Sequence, residues 1–418
     1  MMPKFLYMIM IVTGLVIGCR DAGKNEKTTD TVEAEKKANT FGEDMNFLKK
    51  RDSGIVILAT GDGKSQVIVS PKYQGKVFTS TSNGLEGNSY GWINYTAFDK
   101  VPDLHMNAFG GEDRLWLGPE GGAFSLFFKP GKEMVFDNWH TPSAFDTESW
   151  NLISSTKKQA QMEKSMSFQN YAGLQLEINI KRNIEILETS EIEKLLSISL
   201  GSQVKSVGFK TINILKNAGS FAWDKKTGAP CMWNLDMFTP TAETVIIIPF
   251  EENAEGKVAT TDYFGEIPSD RIKIDEGVLF FKADGKSRGK LGIPPTRVKP
   301  VAGSYAADAA ILTITLFDVD KKGIYLNQEW TTKKDPYSGD AMNAYNDGPL
   351  ADGTQMGPFY EIESVSAAAF LSPGEEILHN HSVFHFTGDK ESLNVIAQKI
   401  LGVSLDNLVL KFKTNKTH

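Results

Sequence analysis

The sequence predicts an all-β protein, built as one large antiparallel β-sandwich with a few short helices. Segments that alternate apolar and polar residues recur from about residue 40 to residue 386, which is typical of strands with one buried and one solvated face. Only two windows have the spacing of an amphipathic helix. Glycine, at 37 of 418 residues, exceeds its usual share of about 7%, which favours a chain with many turns.

The composition excludes several classes of protein. Hydrophobic residues make up 41% and charged residues 23% of the chain, which is too polar for a multi-span membrane protein. The formal net charge of −7 leaves no general basic field, so we expect no nucleic-acid partner. No cofactor is expected, since the export signal described next disfavours nucleotide-driven chemistry.

The first 39 residues have the pattern of an export signal followed by a tether. Residues 1–18 contain an apolar run too short to span a membrane comfortably, which takes roughly 20 residues, and predict a lipoprotein signal peptide. Cys19 is then expected to be acylated, which leaves Cys231 unpaired; a cleaved signal with an incidental cysteine is the alternative. Residues 19–39 predict a disordered tether. The folded domain, residues 40–418, is expected at the bacterial cell envelope, at the periplasmic face or the cell surface, with the lipid as its only membrane contact.

Local signals predict the first elements of the domain. Thr40 and Glu43 have the spacing of a capping box, which predicts a short helix. Residues 55–60 and 66–70, separated by a Gly-Asp-Gly turn, predict a β-hairpin. The clearest strand is at residues 174–186, where aliphatic residues share one parity and polar residues the other.

Further strands and a late helix are predicted downstream. Strands are predicted at residues 124–129, 207–215, 244–249, 277–283, 310–317, 364–371 and 376–386. Asp389 can cap a helix that Gly402 closes, and this helix is expected to pack on the sheet edge. Because no Pro/Ser-rich linker follows residue 39, a single sandwich is favoured, and a boundary between residues 240 and 270 is the alternative.

Residues 110–122 hold the densest group of charged and aromatic side chains. If a strand runs through this segment, Glu112, Arg114 and Trp116 project from one face. A carboxylate, a guanidinium and a flat ring match the hydroxyl edge and the C–H faces of a sugar. We therefore interpret these residues and Glu120 as candidates for carbohydrate binding. The alternative is a salt bridge at the rim, with the indole filling the core.

Two cations elsewhere are candidates for the same site. Arg182 interrupts the apolar face of the strand at residues 174–186, and a guanidinium that faces a core needs a partner. It either pairs with a buried carboxylate or lies at a concave ligand cleft. Arg288 belongs to the basic turn at residues 286–290 and contributes a cation to one rim, unless the turn is merely solvated.

The segment at residues 335–357 has almost no aliphatic residues and is expected to be a long loop. Loops of this length in compact domains are usually functional or disordered. Asn343, Tyr345 and Asp347 favour an ordered binding loop and are candidate hydroxyl-binding residues. A calcium site is a less favoured alternative, because the spacing departs from that of an EF-hand.

Histidine and glutamate cluster near the carboxyl end. His379, His381 and His385 have equal parity, so their rings face the same side of one regular strand. Glu361 and Glu363 likewise share a face of the preceding strand. Such groups can form an acid/base pair. They can also bind a metal ion or form an exposed histidine-rich face; we favour the acid/base pair and expect no metal.

Together these motifs resemble the galactose mutarotase-like superfamily, and within it a group of exported bacterial lipoproteins with a domain of unknown function. The resemblance runs from about residue 40 to residue 410 and is carried by GGEDR-W-GPEGG, KSR-K-GI, NDGP and FYE-E-S…L-PGE…H. The last block is the most specific, because Glu363 and the L-x-PG-E turn are similar in layout to those of aldose epimerases. Asn217 resembles the asparagine that ends a strand in this family.

The resemblance implies a β-supersandwich whose concave face binds a sugar. In aldose epimerases, a carboxylate removes the proton of the anomeric hydroxyl while a histidine protonates the ring oxygen. Glu363 would be the base here. Asp236 stands roughly where the family has its mid-chain histidine, so the acid would be His379 or His385.

Three functions are therefore open for a carbohydrate ligand. The first is epimerase-like acid/base chemistry. The second is non-catalytic glycan binding by Arg114, Trp116 and Tyr345. The third is glycan cleavage by paired carboxylates, with Glu120 and Glu363 as candidates. All three hypotheses rest on one expectation: that the acidic group and the imidazole near the carboxyl end face the same concavity as Arg114 and Trp116.

Overall fold

The structure is a computed structural model that describes residues 40–406 and 408–412. These residues belong to a unit that spans Ala38–His418. The expected signal peptide at residues 1–18, the lipidation site Cys19 and the tether at residues 19–39 lie outside the described residues. Within the described part, no helix is both long enough and apolar enough to cross a membrane.

Strands dominate the described chain. They are β1 (Val56–Ala59), β2 (Gln66–Ser70), β3 (Lys76–Thr81), β4 (Arg114–Gly118), β5 (Asn151–Ser155), β6 (Gln159–Gln169), β7 (Gln175–Ile186), β8 (Lys205–Asn217), β9 (Cys231–Phe238), β10 (Thr244–Pro249), β11 (Ile272–Asp275), β12 (Val278–Lys282), β13 (Gly289–Ile293), β14 (Val301–Ala306), β15 (Ile311–Phe317), β16 (Met342–Asn346), β17 (Tyr360–Val365) and β18 (Glu376–Thr387). The α-helices are α1 (Phe41–Lys49), α2 (Thr189–Leu196) and α3 (Lys390–Leu401), and short 3₁₀ turns lie at Tyr95–Asp99, Phe136–Asn138, Ser143–Phe145 and Val409–Phe412.

The strands form three antiparallel sheets. One small sheet contains β1, β2 and β3. The largest sheet has ten strands in the order β11-β12-β10-β14-β15-β18-β8-β7-β6-β5, and the third has five in the order β13-β16-β17-β9-β4. Side chains of the five-stranded sheet contact those of the ten-stranded sheet, and a large buried cluster joins the two. The predicted all-β class is confirmed.

Strand β7 shows how alternation in the sequence produces a buried layer. Leu176, Ile178, Ile180 and Ile184 are buried, and the residues of opposite parity are partly or fully exposed. Successive side chains of a strand point to opposite faces, so one face of β7 packs in the core. The hairpin and the strands predicted at residues 174–186, 207–215, 244–249, 277–283, 310–317 and 376–386 are confirmed, with ends within two residues of those predicted.

Both predicted helices are present with their caps. The Thr40 hydroxyl accepts a hydrogen bond from the backbone N–H of Glu43, whose carboxylate accepts one from the backbone N–H of Thr40. Asp389 accepts from the Ser392 N–H, and Gly402 ends α3 at a φ of 71°. The predicted position of α3 at the sheet edge is wrong. It packs on β10 and β14, which lie inside the ten-stranded sheet, because its apolar stripe covers the sheet face.

Two predicted strands differ from the structure. Residues 124–129 form an irregular segment, in which the Leu126 N–H donates to the Pro119 carbonyl and Phe128 forms a single bridge to Trp139, so its apolar residues are buried without forming a strand. The strand predicted at residues 364–371 ends at Val365, because the backbone beyond it hydrogen-bonds to several separate loops.

Candidate functional site

A polar row crosses the outer face of the five-stranded sheet, the face turned away from the ten-stranded sheet. Arg114 of β4 pairs with Leu235 of β9, Leu235 with Glu363 of β17, and Glu363 with Asn343 of β16. Residues directly opposite each other on antiparallel strands point to the same side of a sheet. A guanidinium, a carboxylate and a carboxamide from distant parts of the chain therefore share one face.

A second row lies beside the first. Met237 of β9, Glu361 of β17, Tyr345 of β16 and Lys290 of β13 are paired in turn. Because Glu361 and Glu363 are two residues apart on one strand, they share the outer face, as predicted, at a spacing of roughly 7 Å along the strand. The sheet thus presents two carboxyl groups between two cations.

Loops build aromatic walls over these rows and enclose a cleft. Two adjoining cavities, which we call the inner and outer cavity, have volumes of about 170 and 520 Å³. Both are lined by Glu120, Phe136, Phe264, Arg288, Lys290, Trp330, Tyr345 and Met356. The inner cavity also reaches Arg114, Trp116, Trp139, Trp233 and Glu361, and the outer cavity reaches Tyr263, Gln328, Glu329, Asn343, Asp347 and Gln355.

Lys290 is the central charge on the floor of the cleft. Its ammonium nitrogen donates to Glu363 Oε2 at 2.9 Å and lies 4.7 Å from the centroid of the Trp233 ring. Burial disfavours the charged ammonium, but the carboxylates of Glu363, Glu120 and Glu361 outweigh burial, so the pKa of Lys290 is raised. Lys290 is therefore a fixed cation that holds the surrounding carboxyl groups together.

Glu363 faces the outer side of the sheet but lies below the floor of the cleft. Its Oε2 accepts hydrogen bonds from Lys290 and, at 2.8 Å, from the Trp233 indole N–H. Its Oε1 has no hydrogen-bond partner among the described residues, and the side chain is fully buried and lines neither cavity. The placement contradicts the assignment of Glu363 as the base. The residue instead positions Lys290 and Trp233.

Glu361 lies on the wall of the inner cavity and pairs with Arg114. The Arg114 guanidinium lies 5.2 Å from the centroid of the Trp116 ring. Burial raises the pKa of Glu361. The positive charge of Arg114 lowers this pKa and the negative charge of Glu363 raises it, and the net shift is upward. Glu361 therefore holds its proton at a higher pH than an ordinary glutamate and can donate it to a ligand.

Glu120 supplies a second carboxyl group to the cleft. It follows β4, lines both cavities, and is held by its backbone N–H, which donates to Gln328 Oε1 at 3.0 Å. Burial raises the pKa of Glu120, and the attraction of Lys290, which lowers it, only partly offsets this effect. The inner cavity is thus lined by two carboxyl groups, one paired with Arg114 and one close to Lys290, which can exchange protons with a ligand.

The structure places Asn343, Tyr345 and Asp347 in the cleft, but not on one long loop. Asn343 and Tyr345 belong to strand β16, and Asp347 follows it directly. The loop predicted at residues 335–357 is therefore wrong in part. A fully buried strand shows no alternation of polarity, which is why the pattern concealed it.

The predicted pairing of Glu363 with His379 or His385 is contradicted. Both histidines lie on β18, fully buried between the two large sheets. His379 Nε2 is hydrogen-bonded at 2.9 Å to Ser364, which points to the opposite side of β17 from Glu363. His385 Nε2 is hydrogen-bonded at 3.0 Å to Glu112. Equal parity put these rings on one face, as expected, but that face is the interior.

Glu112 and Arg182 also lie in the interior layer, so their assignment to the ligand site is wrong. Glu112 accepts a hydrogen bond from Ser80 and faces the same side as its neighbour Asp113, because the regular strand begins only at Arg114. Arg182 pairs with Asp113 at 3.1 Å, the buried ion pair that the sequence left as one alternative.

The remaining residues singled out by the family resemblance hold the structure together. Asp236 Oδ2 is hydrogen-bonded to His381 Nε2 at 2.8 Å in the interior layer. The side-chain amide of Asn217 donates to the carbonyl groups of Phe221 and Leu371 and so connects two loops. No group of three or more potential metal ligands is found in the part of the chain that the structure describes.

Several residues of the cleft were missed by the sequence analysis. The most important is Lys290, which appeared only as part of a basic turn but is the second residue of strand β13, directly after the turn that holds Arg288. Trp139, Trp233 and Trp330 come from three separate segments. No local pattern in the sequence connects them, because Trp233 lies on β9 and loops bring Trp139 and Trp330 over it.

The fold and the cleft define an antiparallel β-sandwich protein with an aromatic-walled cleft on one sheet. The chain matches the model of a family of unknown function, DUF6786, over residues 39–412. The chain therefore belongs to this family. A search of curated proteins found no match.

Several solved structures are similar to this chain. A galactose mutarotase-like protein from Lactobacillus casei ATCC 334 has 10% sequence identity and a TM-score of 0.47, with 79% of this chain and 100% of that chain covered. The Slr1438 protein from Synechocystis sp. PCC 6803 has 12% identity and a TM-score of 0.46, with coverages of 80% and 96%. A galactose mutarotase related enzyme from Lactobacillus acidophilus has 9% identity and a TM-score of 0.40, with coverages of 80% and 97%.

Proposed function

We propose that this protein binds a carbohydrate in the cleft and transfers protons to and from its oxygen atoms through Glu361 and Glu120. The observation that carries the proposal is the presence of these two carboxyl groups, in different environments, in one cavity walled by indoles. Indole rings bind the C–H faces of a sugar, and carboxyl and guanidinium groups bind its hydroxyl groups.

The proton transfer assigns different roles to the two carboxyl groups. Glu361, whose pKa is raised, donates a proton to a ring or bridging oxygen of the sugar. Glu120 accepts a proton from a hydroxyl group or from water. Lys290 stays protonated and stabilises the negative charge that develops between them. Either ring opening at the anomeric carbon or cleavage of a glycosidic bond uses this pair.

Anomer interconversion and the release of new reducing ends together test this proposal. The purified chain is incubated with α-anomeric hexoses and with oligosaccharides, and optical rotation and reducing ends are followed. We expect one of the two signals to exceed the buffer rate. Glu361→Gln and Glu120→Gln should each lower that rate by about 10²- to 10⁴-fold, the usual contribution of a general acid or base.

The matched control is Glu376→Gln, which changes an exposed glutamate at the start of β18. It should leave the rate unchanged. Rates equal to buffer for every sugar, or full activity in both cleft variants, would contradict the catalytic part of the proposal.

Binding without catalysis is the second candidate, and one observation favours it. Glu361 already forms an ion pair with Arg114, which engages the proposed proton donor before any ligand binds. In that case sugars would quench or shift the fluorescence of the cleft tryptophans, and neither optical rotation nor reducing ends would change beyond buffer.

We also propose that the folded domain is anchored to the bacterial cell envelope by a lipid on Cys19. This proposal rests on the sequence of the first 39 residues alone. Metabolic labelling with a radioactive fatty acid should label the wild-type chain and not Cys19→Ser. Equal labelling of both chains would contradict the anchor.

A further inference from the structure

Arg288 differs from the other two cations that line the cleft. Arg114 pairs with Glu361, and Lys290 pairs with Glu363. In the described residues, no carboxylate oxygen lies within 4.0 Å of the Arg288 guanidinium. Arg288 is also exposed, and it lines both cavities at the point where they join. A positive charge without a counter-charge is thus available to a ligand at this junction.

The guanidinium of Arg288 is held in a fixed orientation. Its central carbon lies 4.0 Å from the centroid of the Phe264 ring, so the side chain stacks on an aromatic face. Its Nε donates to the Tyr345 hydroxyl at 3.3 Å, and that hydroxyl donates to Asp347 Oδ1 at 2.9 Å. The two terminal nitrogens have no hydrogen-bond partner among the described residues.

The acidic residue that accepts from Tyr345 already has hydrogen-bond partners of its own. Asp347 is buried and accepts hydrogen bonds from the Tyr345 hydroxyl and, at 3.1 Å, from the Gly357 N–H. Its carboxylate forms no ion pair with Arg288, and the Tyr345 hydroxyl links the two side chains. The exposed edge of the guanidinium therefore presents two N–H groups in one plane, a geometry that binds a carboxylate or a sulfate through two parallel hydrogen bonds.

The outer cavity has the other features of a sugar subsite. The rings of Tyr263 and Trp330 supply flat surfaces, and Asn343 and Gln355 supply carboxamides. The two cavities adjoin, because residues such as Arg288 and Tyr345 line both of them. One extended ligand can therefore occupy both cavities.

We propose that the outer cavity is a second sugar subsite and that the sugar in it carries an anionic group, a carboxylate or a sulfate ester, bound by Arg288. This inference rests on the proposed function, because the neighbouring unit of the same ligand occupies the inner cavity. The ligand is then an acidic oligosaccharide and not a single neutral sugar.

Binding of a matched series of tetrasaccharides to the full chain tests this inference. The series contains neutral cellotetraose, tetragalacturonate, which carries carboxylates, and a sulfated tetrasaccharide prepared from carrageenan. Affinities are measured by calorimetry at low ionic strength. We expect at least one anionic tetrasaccharide to bind about tenfold tighter than the neutral one, as a charge-assisted pair of hydrogen bonds provides. Which anionic member binds tighter distinguishes a uronate from a sulfated sugar.

The variants connect this preference to Arg288. Arg288→Gln should bring the ratio of anionic to neutral affinity close to one, and Arg288→Lys should keep only part of it, because an ammonium lacks the planar fork. The control is Lys286→Gln, an exposed lysine of the same turn that lines neither cavity, and it should keep the full ratio.

The outcomes separate this inference from the proposed function. If cellotetraose binds as tightly as both anionic members, or if Arg288→Gln keeps the ratio, the anionic subsite is overturned while carbohydrate binding stands. If no carbohydrate of any kind binds to a chain with a cooperative thermal transition, both are overturned.

Discussion

At the scale of single residues, the cleft depends on how its charges are paired. Lys290 donates to Glu363 below the floor and lies close to Glu120 and Glu361, which line the inner cavity. Glu363 therefore acts on the ligand site through Lys290, although it touches no ligand itself. The Trp233 indole, which donates to the same carboxylate, is fixed by the same contact. One buried ion pair thus sets the positions of a cation and of an aromatic wall.

We expect Lys290→Met to lower the free energy of unfolding by about 3 to 5 kcal/mol, because it leaves the buried Glu363 carboxylate without a cation. The double variant Lys290→Met/Glu363→Gln should recover much of this loss, since a neutral amide needs no counter-charge. Urea denaturation of the single and double variants gives the coupling energy, with Lys286→Met as a control at an exposed position. Additive effects of the two substitutions would show that the ion pair does not hold the floor.

At the scale of helices and strands, the sequence predicted elements whose two faces differ in polarity. Strands β7 and β8 alternate visibly because one of their faces is in contact with water, and α1 and α3 are marked by their caps. Strand β9 was missed, because all its residues are buried and its polar side chains point into the interior layer. Period-two patterns appear only where one side of a strand is solvated.

The same limit explains how far the candidate site could be predicted. Arg114, Trp116 and Glu361 were identified because charged or aromatic residues at strand spacing are unusual in a core, and the structure places all three around the inner cavity. The histidines of β18 were misplaced, because parity shows which residues share a face but not which layer that face meets. Only strand order decides this, and strand order depends on long-range pairing that no local pattern encodes.

At the scale of the whole molecule, a buried polar layer joins the two large sheets. Arg182 of the ten-stranded sheet reaches Asp113, which precedes β4, at 3.1 Å. His381 of β18 is hydrogen-bonded to Asp236 of β9 at 2.8 Å. The first pair joins the ten-stranded sheet to the segment before β4, and the second joins it to β9. A slip of one residue on either side would leave a buried charge unpaired. We infer that this layer fixes the registration of the sheets and hence the position of the cleft above it.

This layer makes a testable contribution to the pH dependence of stability. Burial raises the pKa of Asp236 to about 7, against the attraction of His381 and with the repulsion of Asp113 and Glu112. The unfolded chain loses this proton near pH 4, so the folded state binds more protons between about pH 4 and 7. A group whose pKa is raised on folding stabilises the fold at low pH, and that stability is lost as the pH rises toward 7. Burial lowers the pKa of His379 to about 4, against about 6.5 in the unfolded chain. Between these pH values the unfolded chain binds more protons at His379, so this residue makes the stability rise with pH.

Replacing Asp236 removes its own proton and also the attraction that raises the pKa of its partner His381, and it leaves His379 in place. In Asp236→Asn, the free energy of unfolding should fall less steeply with pH between 5 and 7 than in the wild type, by up to about 1.4 kcal/mol per pH unit for each proton that the Asp236–His381 pair no longer binds. The amide still hydrogen-bonds to the imidazole, so the variant is expected to fold. Denaturant titrations at pH 5, 6 and 7 provide the slopes, and Asp270→Asn, at an exposed position, is the matched control. Parallel pH profiles for wild type and Asp236→Asn would mean that the Asp236–His381 pair holds no extra proton in the folded state, and the interior layer would then not couple stability to pH through this pair.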